Sequence, residues 1–184
     1  LAGIMGGANS EVDPETTDVL LEAAHFDPTT VRATAARLGI QTEASTRFER
    51  SADWAMPPQA SERAARLIAD LAGGHVAPDA IDVFPGPPEP RSIRLRLSRL
   101  QSILGAPIEA SECQRILTSL GCQIVGDSND SLGAGPKDAG SAVFSVSAPS
   151  FRPDLTREVD LIEEVGRIYG YDRIEASQTI RGPS

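Results

Sequence analysis

The chain has 184 residues, a net charge of -9, and 40% hydrophobic but only 4% aromatic residues. This composition permits one or two domains with aliphatic cores, and the negative charge argues against a general nucleic-acid binder, whose affinity depends on neutralising phosphates. No apolar run approaches the ~20 residues of a membrane span. Because the chain begins at Leu1 without an initiator methionine or a signal peptide, we expect an internal segment of a longer protein.

Residues 17–26 are predicted to form a strand buried on both faces, because their apolar side chains run almost without a break. Glu22 lies in the middle of this run, where a buried carboxylate is costly unless it is paired or hydrogen-bonded. Such a group is a candidate functional residue, and a structural ion pair with a nearby arginine is the equal alternative. Strand alternation places His25 on the opposite face, so we interpret His25 as structural.

Two helices are expected to follow this strand. Asp27 is a suitable N-cap for a helix that ends at Gly39, and a second helix is predicted from about residue 59 to residue 72. The side chains expected to face inward are Val31, Ala35 and Leu38 in the first helix and Ala60, Ala64, Leu67, Ile68 and Leu71 in the second. The polar stretch 41–53 predicts surface ion pairs, although the small residues Thr42 and Ala44 also suit a pocket wall.

A proline-rich stretch at residues 85–90 predicts a stiff linker, and we place a domain boundary there. The elements predicted after it are a strand from residue 92, a short helix capped by Ser98 that ends near Gly105, an amphipathic helix at 108–120, a strand at 122–125, a polar loop or wing at 126–141, and a strand at 143–146. Cys113 and Cys122 are expected to pack in the core rather than to form a disulfide. This order of elements suggests a winged-helix-like module.

The last predicted element, within residues 150–172, carries four acidic side chains. Its apolar spacing predicts a helix whose buried face comprises Leu155, Val159, Ile162, Val165 and Tyr169, ended by Gly170. Asp160, Glu163 and Glu164 share one side of that helix, and Asp154 lies just ahead of it. Two interpretations are open: a solvated acidic face, and a magnesium site built from carboxylate oxygens.

Three motifs in this element resemble the end of the B5 domain in the beta subunit of bacterial phenylalanyl-tRNA synthetase. They are Pro149-Ser150-Phe151-Arg152-x-Asp154, Asp160-Leu161-x-Glu163-Glu164 and Arg167-x-Tyr169-Gly170-Tyr171. Earlier blocks, GIMGG, VLLEAAHFDP, GIQTEASTRFER and LAGG, resemble the B3/B4 region of the same subunit in the family's order and spacing. The resemblance implies an α+β fold with two small domains: an incomplete α/β editing-type B3/B4 region at 1–84, the linker at 85–90, a winged-helix-like B5 domain at 91–175, and a tail at 176–184.

The resemblance also implies an editing pocket in the first domain. In the family this region hydrolyses tyrosine that was mischarged onto the phenylalanine tRNA, and the pocket residues transferred to this sequence are Gly6, Glu22, Thr42 and Ala44. Glu22 would accept a hydrogen bond from the tyrosine hydroxyl. Part of the pocket, including a family histidine, is expected to precede Leu1. Where the family usually has Gly-Val-Asp-Pro, this sequence has a segment that begins at Ser51 and ends at Trp54.

For the acidic element, the resemblance assigns Asp154, Asp160, Glu163 and Glu164 to Mg2+. It implies a cytoplasmic, ATP-dependent ligase for phenylalanine and tRNA(Phe), a heterotetramer in which the alpha subunit carries the aminoacylation site, without a membrane partner. No catalytic residue for aminoacylation is expected in this chain, which alone should not aminoacylate. The alternative function is a non-catalytic winged-helix-like module that binds RNA or protein, and a closed ion pair at Glu22 would favour that alternative.

Overall fold

A computed structural model of the chain describes residues 1–88, 91–127 and 142–174, with the backbone alone described at 125–127. The chain divides into two compact units, Leu1–Pro88 and Glu89–Ser184. In the described ranges, no helix has the length and apolar character that crossing a membrane requires.

The first unit contains three helices, α1 at Pro28–Leu38, α2 at Glu43–Phe48 and α3 at Pro57–Ala72. The predicted cap of α1 is confirmed, because the Asp27 carboxylate accepts a hydrogen bond from the Thr30 backbone N–H at 2.7 Å. Gly39 ends α1 in the left-handed conformation, with a φ of 64° that favours glycine. Local sequence signals therefore determine where these helices begin and end.

The core of the first unit is small. Its buried residues are Ile4, Val31 and Ala35, with Phe26, Ile40 and Phe48 packed against them. Phe26 and Phe48 meet edge to face, with 5.0 Å between ring centroids. The segment before α1 is therefore attached to α1 and α2 through only a few apolar contacts.

The prediction of a buried strand at residues 17–26 is wrong for this structure. Among the described residues of the first unit there is no strand, and the Leu20 side chain is 95% exposed. The physical reason is that a strand needs a hydrogen-bonded neighbour, and no described segment pairs with this one. The α3 helix does form, but its apolar residues Leu67, Ile68 and Leu71 are exposed, as is Leu38 in α1, so their predicted burial is also wrong.

In its described residues, the second unit combines a three-stranded antiparallel sheet with three α-helices. Its elements in chain order are β1 at Ser92–Arg96, α4 at Leu97–Leu104, α5 at Ala110–Ser119, β2 at Gln123–Asp127, β3 at Val143–Ser147, α6 at Glu158–Tyr169, and a 3-10 turn at Tyr171–Arg173. The strand order is β1-β3-β2, so the central strand β3 pairs with both neighbours. Both predicted helices and the predicted strands on either side of the 126–141 stretch are confirmed; residues 128–141 of that stretch lie outside the described residues.

Alternation along the strands builds the core of this unit. Leu95 of β1 lies opposite Phe144 of β3, and Ile93 lies opposite Val146, with all four side chains buried. The buried residues contributed by the helices and connections are Leu100, Ala106, Ile108, Cys113, Ile116, Leu117, Cys122, Leu155, Leu161, Ile162 and Val165. Cys113 and Cys122 are both free thiols, which agrees with their predicted role in the core.

Several element boundaries differ from the prediction, and β2 extends to Asp127, two residues into the stretch predicted as a loop. The α4 helix begins at Leu97 rather than after Ser98, so Leu97 belongs to the helix and not to the strand. In α6, which begins at Glu158, Leu161 is fully buried whereas Val159 is 43% exposed. Leu155 is buried ahead of the helix, in an irregular segment that the helical spacing could not distinguish from a first turn.

Candidate functional site

The segment that leads into α6 places an arginine against that helix. Pro149 and Pro153 restrict the backbone before each of them, and a turn closes where the Arg152 N–H donates to the Pro149 carbonyl at 3.0 Å. Leu155, buried in the core, fixes the far end of the segment. The Arg152 side chain is thereby directed at α6 and is only 23% exposed.

Arg152 forms ion pairs with two of the four predicted acidic residues. Its Nε donates to Asp154 Oδ1 at 2.9 Å and its Nη2 to Asp154 Oδ2 at 2.6 Å. The same guanidinium donates through Nη1 to Glu164 Oε2 at 3.2 Å and pairs through Nη2 with Glu164 Oε1 at 3.1 Å. We call Arg152 with Asp154 and Glu164 the Arg152 bridge. It joins two carboxylates that are ten positions apart in the sequence.

The carboxylate of Glu164 is the most enclosed of the four. Besides Arg152, it accepts a hydrogen bond from Arg167 Nη2 at 2.6 Å, one turn further along α6. Hydrogen bonds from Arg152, which has the larger effect, and from Arg167 lower the pKa of Glu164 from 4.5 to about 2. The hydrogen bond from Arg152 also lowers the pKa of Asp154. Both carboxylates are therefore ionised at neutral pH.

Asp160 has a different set of partners, at the start of α6. Its Oδ2 accepts hydrogen bonds from the backbone N–H groups of Thr156 at 3.0 Å and of Arg157 at 2.8 Å, while Arg157 Nη2 donates to Oδ1 at 2.9 Å. These hydrogen bonds lower the pKa of Asp160 to about 2, and the bond from the Arg157 side chain has the largest effect. A carboxylate three residues into a helix commonly satisfies free N–H groups there in this way. Glu163 is exposed, and it forms no hydrogen bond with the described residues.

A magnesium site requires several oxygen ligands close to one point. Within the described ranges, no three metal-ligating side chains lie close enough together to hold one ion. Asp154 and Glu164 converge instead on a single positive group, the Arg152 guanidinium. The donor set of this pair, carboxylate oxygens only, is the one that Mg2+ prefers. Because Arg152 already neutralises Asp154 and Glu164, the described carboxylates as they lie here do not fit a metal ion.

The predicted editing residues lie in the first unit and are only partly brought together. Thr42 is the N-cap of α2, and its hydroxyl donates to the Ile4 carbonyl at 2.5 Å, which connects α2 to the glycine-containing segment that includes Gly6. A side chain at Gly6 would meet open space. Ala44 is exposed on α2, and Glu22 is exposed on the segment before α1 and makes no hydrogen bond or ion pair with the described residues.

An open depression of about 140 Å³ in the first unit is bounded by Ile4, Phe26 and Thr30, and none of the four predicted editing residues lines it. Sequence reasoning did not identify this depression, because its walls come from side chains that resemble ordinary core residues. It also missed the arginines of the second unit, although a signal was present. Arg157 lies three positions before Asp160 and Arg167 three positions after Glu164, a spacing at which helical side chains meet.

The sequence profiles of known families match both units. The profile of the B3/4 domain matches residues 1–73, and that of the tRNA synthetase B5 domain matches residues 93–171. These two matches, in this order, place the chain among the subunits of aminoacyl-tRNA synthetases.

Curated relatives identify the subunit. The chain is 46% identical over 177 residues to a phenylalanine–tRNA ligase beta subunit of Geobacter sulfurreducens, covering 96% of this chain. It is 44% identical over 184 residues to that of Salinibacter ruber, covering 100%, and 47% identical over 174 residues to that of Syntrophotalea carbinolica, covering 95%. The chain belongs to the phenylalanine–tRNA ligase beta subunit family. It spans about a fifth of the length of these relatives, 21%, 21% and 20% respectively.

Proposed function

We propose that this chain is a working part of a phenylalanine–tRNA ligase, the enzyme that attaches phenylalanine to tRNA(Phe) at the expense of ATP. The observation that supports this proposal is the identity of 46% to a phenylalanine–tRNA ligase beta subunit over 177 residues, a span that includes both matched domains. The name of the relatives as beta subunits supports an alpha subunit as the partner. The chain's proposed contribution lies outside amino-acid activation, because the family resemblance puts the aminoacylation site on the alpha subunit.

The first unit is proposed to edit tyrosyl-tRNA(Phe) by hydrolysis. An active site made for phenylalanine rejects an added hydroxyl poorly, so a second site that recognises the hydroxyl is needed. Glu22 is the proposed acceptor for that hydroxyl, and Gly6, Thr42 and Ala44 form the proposed pocket wall. The hydrogen bond from Thr42 to Ile4 supports this proposal, because it keeps two of the wall segments together. Among the described residues, Glu22 forms no closed ion pair, which a docking module would require, and it does not line the depression bounded by Ile4, Phe26 and Thr30, as an editing residue would line its pocket.

The second unit is proposed to be a winged-helix-like domain that takes part in the contact between subunits. Its three helices and its sheet of order β1-β3-β2 support this assignment. We propose from the family resemblance that Mg2+ in the assembled enzyme is held by all four acidic residues, Asp154, Asp160, Glu163 and Glu164. A bound Mg2+ would supply positive charge that neutralises these carboxylates. A partner surface is required for tight binding because Mg2+ gives up its water reluctantly and gains little from one exposed helix face.

The proposal is tested with the full-length beta subunit that contains this chain, expressed together with its alpha subunit. We expect the complex to charge tRNA(Phe) with phenylalanine when ATP is supplied. The 184-residue chain alone should show no phenylalanine-dependent exchange of pyrophosphate into ATP. Failure of the complex to charge tRNA(Phe), or exchange above background by the isolated chain, would contradict the proposal.

A further inference from the structure

Ser45, in the short helix α2, is a buried residue beside two of the proposed editing residues. It directly follows Ala44 in the chain, and it is 0% exposed. A buried hydroxyl is costly unless it is hydrogen-bonded. The α2 helix has only six residues, too few for a helix to be stable by itself. The contacts of Ser45 therefore help to determine whether the first turn of α2 keeps its shape.

Ser45 and Thr42 cap each other at the start of α2. The Thr42 backbone N–H donates to Ser45 Oγ at 2.9 Å, and the Ser45 backbone N–H donates to Thr42 Oγ1 at 3.1 Å. The Ser45 hydroxyl donates its single proton to the Thr42 carbonyl at 3.0 Å. The hydroxyl of Ser45 thus both accepts from Thr42 and donates to it, with no bond left over for a ligand.

The same contacts direct the hydroxyl of Thr42. Because Thr42 Oγ1 accepts from the Ser45 N–H, its own proton is donated to the Ile4 carbonyl, 2.5 Å away. That carbonyl has a fixed position, since Ile4 is 2% exposed and belongs to the core of the first unit. Ser45 thereby sets the position of Thr42 relative to the segment that includes Ile4 and Gly6.

We propose that Ser45 is a positioning residue of the editing site, which acts through Thr42 and does not touch the substrate. This inference rests on the proposed editing function and adds to it a residue that keeps the pocket wall in place. Without the Ser45 hydroxyl, the Thr42 N–H loses its acceptor, and the first turn of α2, which carries Ala44, shifts relative to Gly6. A displaced wall no longer holds the tyrosine ring where its hydroxyl reaches Glu22, and a displacement of about 1 Å is enough to slow a reaction strongly.

The test uses the full-length beta subunit assembled with its alpha subunit, and tRNA(Phe) charged with tyrosine or with phenylalanine. In Ser45→Ala we expect kcat/KM for hydrolysis of the tyrosyl ester to fall about tenfold, the factor that corresponds to one lost hydrogen bond. Hydrolysis of the phenylalanyl ester should not fall in proportion, so the preference for tyrosine should decrease. Charging of tRNA(Phe) with phenylalanine should be unchanged, because the proposed aminoacylation site lies on the alpha subunit.

Ala35→Gly is the matched control for a simple loss of stability. Ala35 is buried in α1 of the same unit, and glycine destabilises a helix through its conformational freedom. Partial unfolding removes active enzyme and lowers both hydrolysis rates by the same factor, so this control should keep the parent's preference for tyrosine. Hydrogen exchange at the amides of α1 and α2, measured by mass spectrometry in the same complex, shows whether each variant is folded.

Three outcomes would overturn the proposal. One is a folded Ser45→Ala enzyme with the rates and the preference of the parent. Another is a fall of both hydrolysis rates by the same factor, which would make the role of Ser45 purely structural. The third is an equal loss of preference in Ala35→Gly, which would make general instability of the unit the cause.

A second variant covers a failure to fold. If Ser45→Ala does not fold, Ser45→Cys replaces it, because the thiol is only a weak donor and acceptor. The cysteine variant must then lose the preference for tyrosine in the same way, and an unchanged preference would overturn the proposal. A parent complex that does not hydrolyse the tyrosyl ester would contradict the editing function itself, which distinguishes that failure from a failure of the role of Ser45.

Discussion

Glu158, the first residue of α6, accepts three hydrogen bonds from Arg96, the last residue of β1. The Arg96 backbone N–H and Nε each donate to Glu158 Oε1 at 2.9 Å, and Nη2 donates to Oε2 at 2.6 Å. Arg99 Nε lies 3.2 Å from the same carboxylate. Because the side chain of Glu158 is only 18% exposed, these bonds form in a partly dry position where charge pairs are worth more than at the surface.

Loss of this connection should weaken the second unit. Glu158→Ala leaves the backbone N–H and the guanidinium of Arg96 without this acceptor, and we expect the free energy of unfolding to fall by about 2 kcal/mol. Urea unfolding of parent and variant measures the difference. Glu163→Ala, an exposed substitution in the same helix, should change it by less than about 0.5 kcal/mol. Equal effects of the two substitutions would show that the hydrogen bonds from Arg96 contribute nothing.

A backbone prediction concerns Ser51, which has a φ of 67° in the left-handed region that glycine adopts most readily. Ser51→Gly should therefore stabilise the first unit by about 0.5 to 1 kcal/mol. Gly39→Ala is the converse test, because Gly39 has a φ of 64° that alanine rarely adopts. Since the added methyl group would meet open space, the substitution should destabilise the first unit through backbone strain alone. Hydrogen exchange at the amides of α1 and α2 should slow in the first variant and accelerate in the second. Acceleration in both would contradict the assigned conformation of Ser51.

The depressed carboxylate pKa values predict acid sensitivity of the second unit. Asp160 and Glu164 have pKa values near 2 in the folded chain, below their usual 3.8 and 4.5. A lowered folded-state pKa gives stability that is complete above the unfolded pKa and is lost as the pH falls through the folded pKa. Stability in metal-free buffer should thus decline between about pH 4.5 and pH 2. In Glu164→Gln, the free energy of unfolding should decline less steeply between these pH values. An unchanged slope would show that Glu164 does not contribute to the acid sensitivity.

The two thiols should be inert in the folded chain. Burial raises the pKa of Cys113 to about 12 and also raises that of Cys122. At pH 8 a thiol reagent such as dithionitrobenzoate should therefore react with neither residue until urea unfolds the chain, after which both should react. Rapid modification of the native chain would show that this part of the core opens readily.

Local signals in the sequence predicted the ends of α1 in the first unit and the strand pattern of β1 in the second. The cap at Asp27, the stop at Gly39 and the alternation in β1 are determined by neighbours in the chain, and the structure confirms them. Burial was harder to predict because it depends on partners. Leu20 and Leu71 are apolar, yet they are exposed because no described element covers them.

In the candidate site, too, contacts between residues distant in the sequence could not be predicted. The pairing of Arg167 with Glu164 follows from helical spacing, but Arg152 reaches Glu164 across 12 positions and Arg96 reaches Glu158 across 62. Those contacts depend on a turn and on the packing of a strand against a helix, which composition and periodicity do not specify. The roles of Glu22 and of the acidic residues stay predictions that rest on the family resemblance.

Hydrolysis of mischarged tRNA tests the central functional claim most directly. The full-length beta subunit, assembled with its alpha subunit, is incubated with tRNA(Phe) that carries either tyrosine or phenylalanine, and deacylation is followed for the parent and for Glu22→Ala. The parent should release tyrosine and spare phenylalanine, since phenylalanine leaves the acceptor unpaired. Glu22→Ala should lose most of this preference, with phenylalanine admitted to the editing site. An unchanged preference for tyrosine in the variant would contradict the assignment of Glu22 as the residue that recognises the hydroxyl.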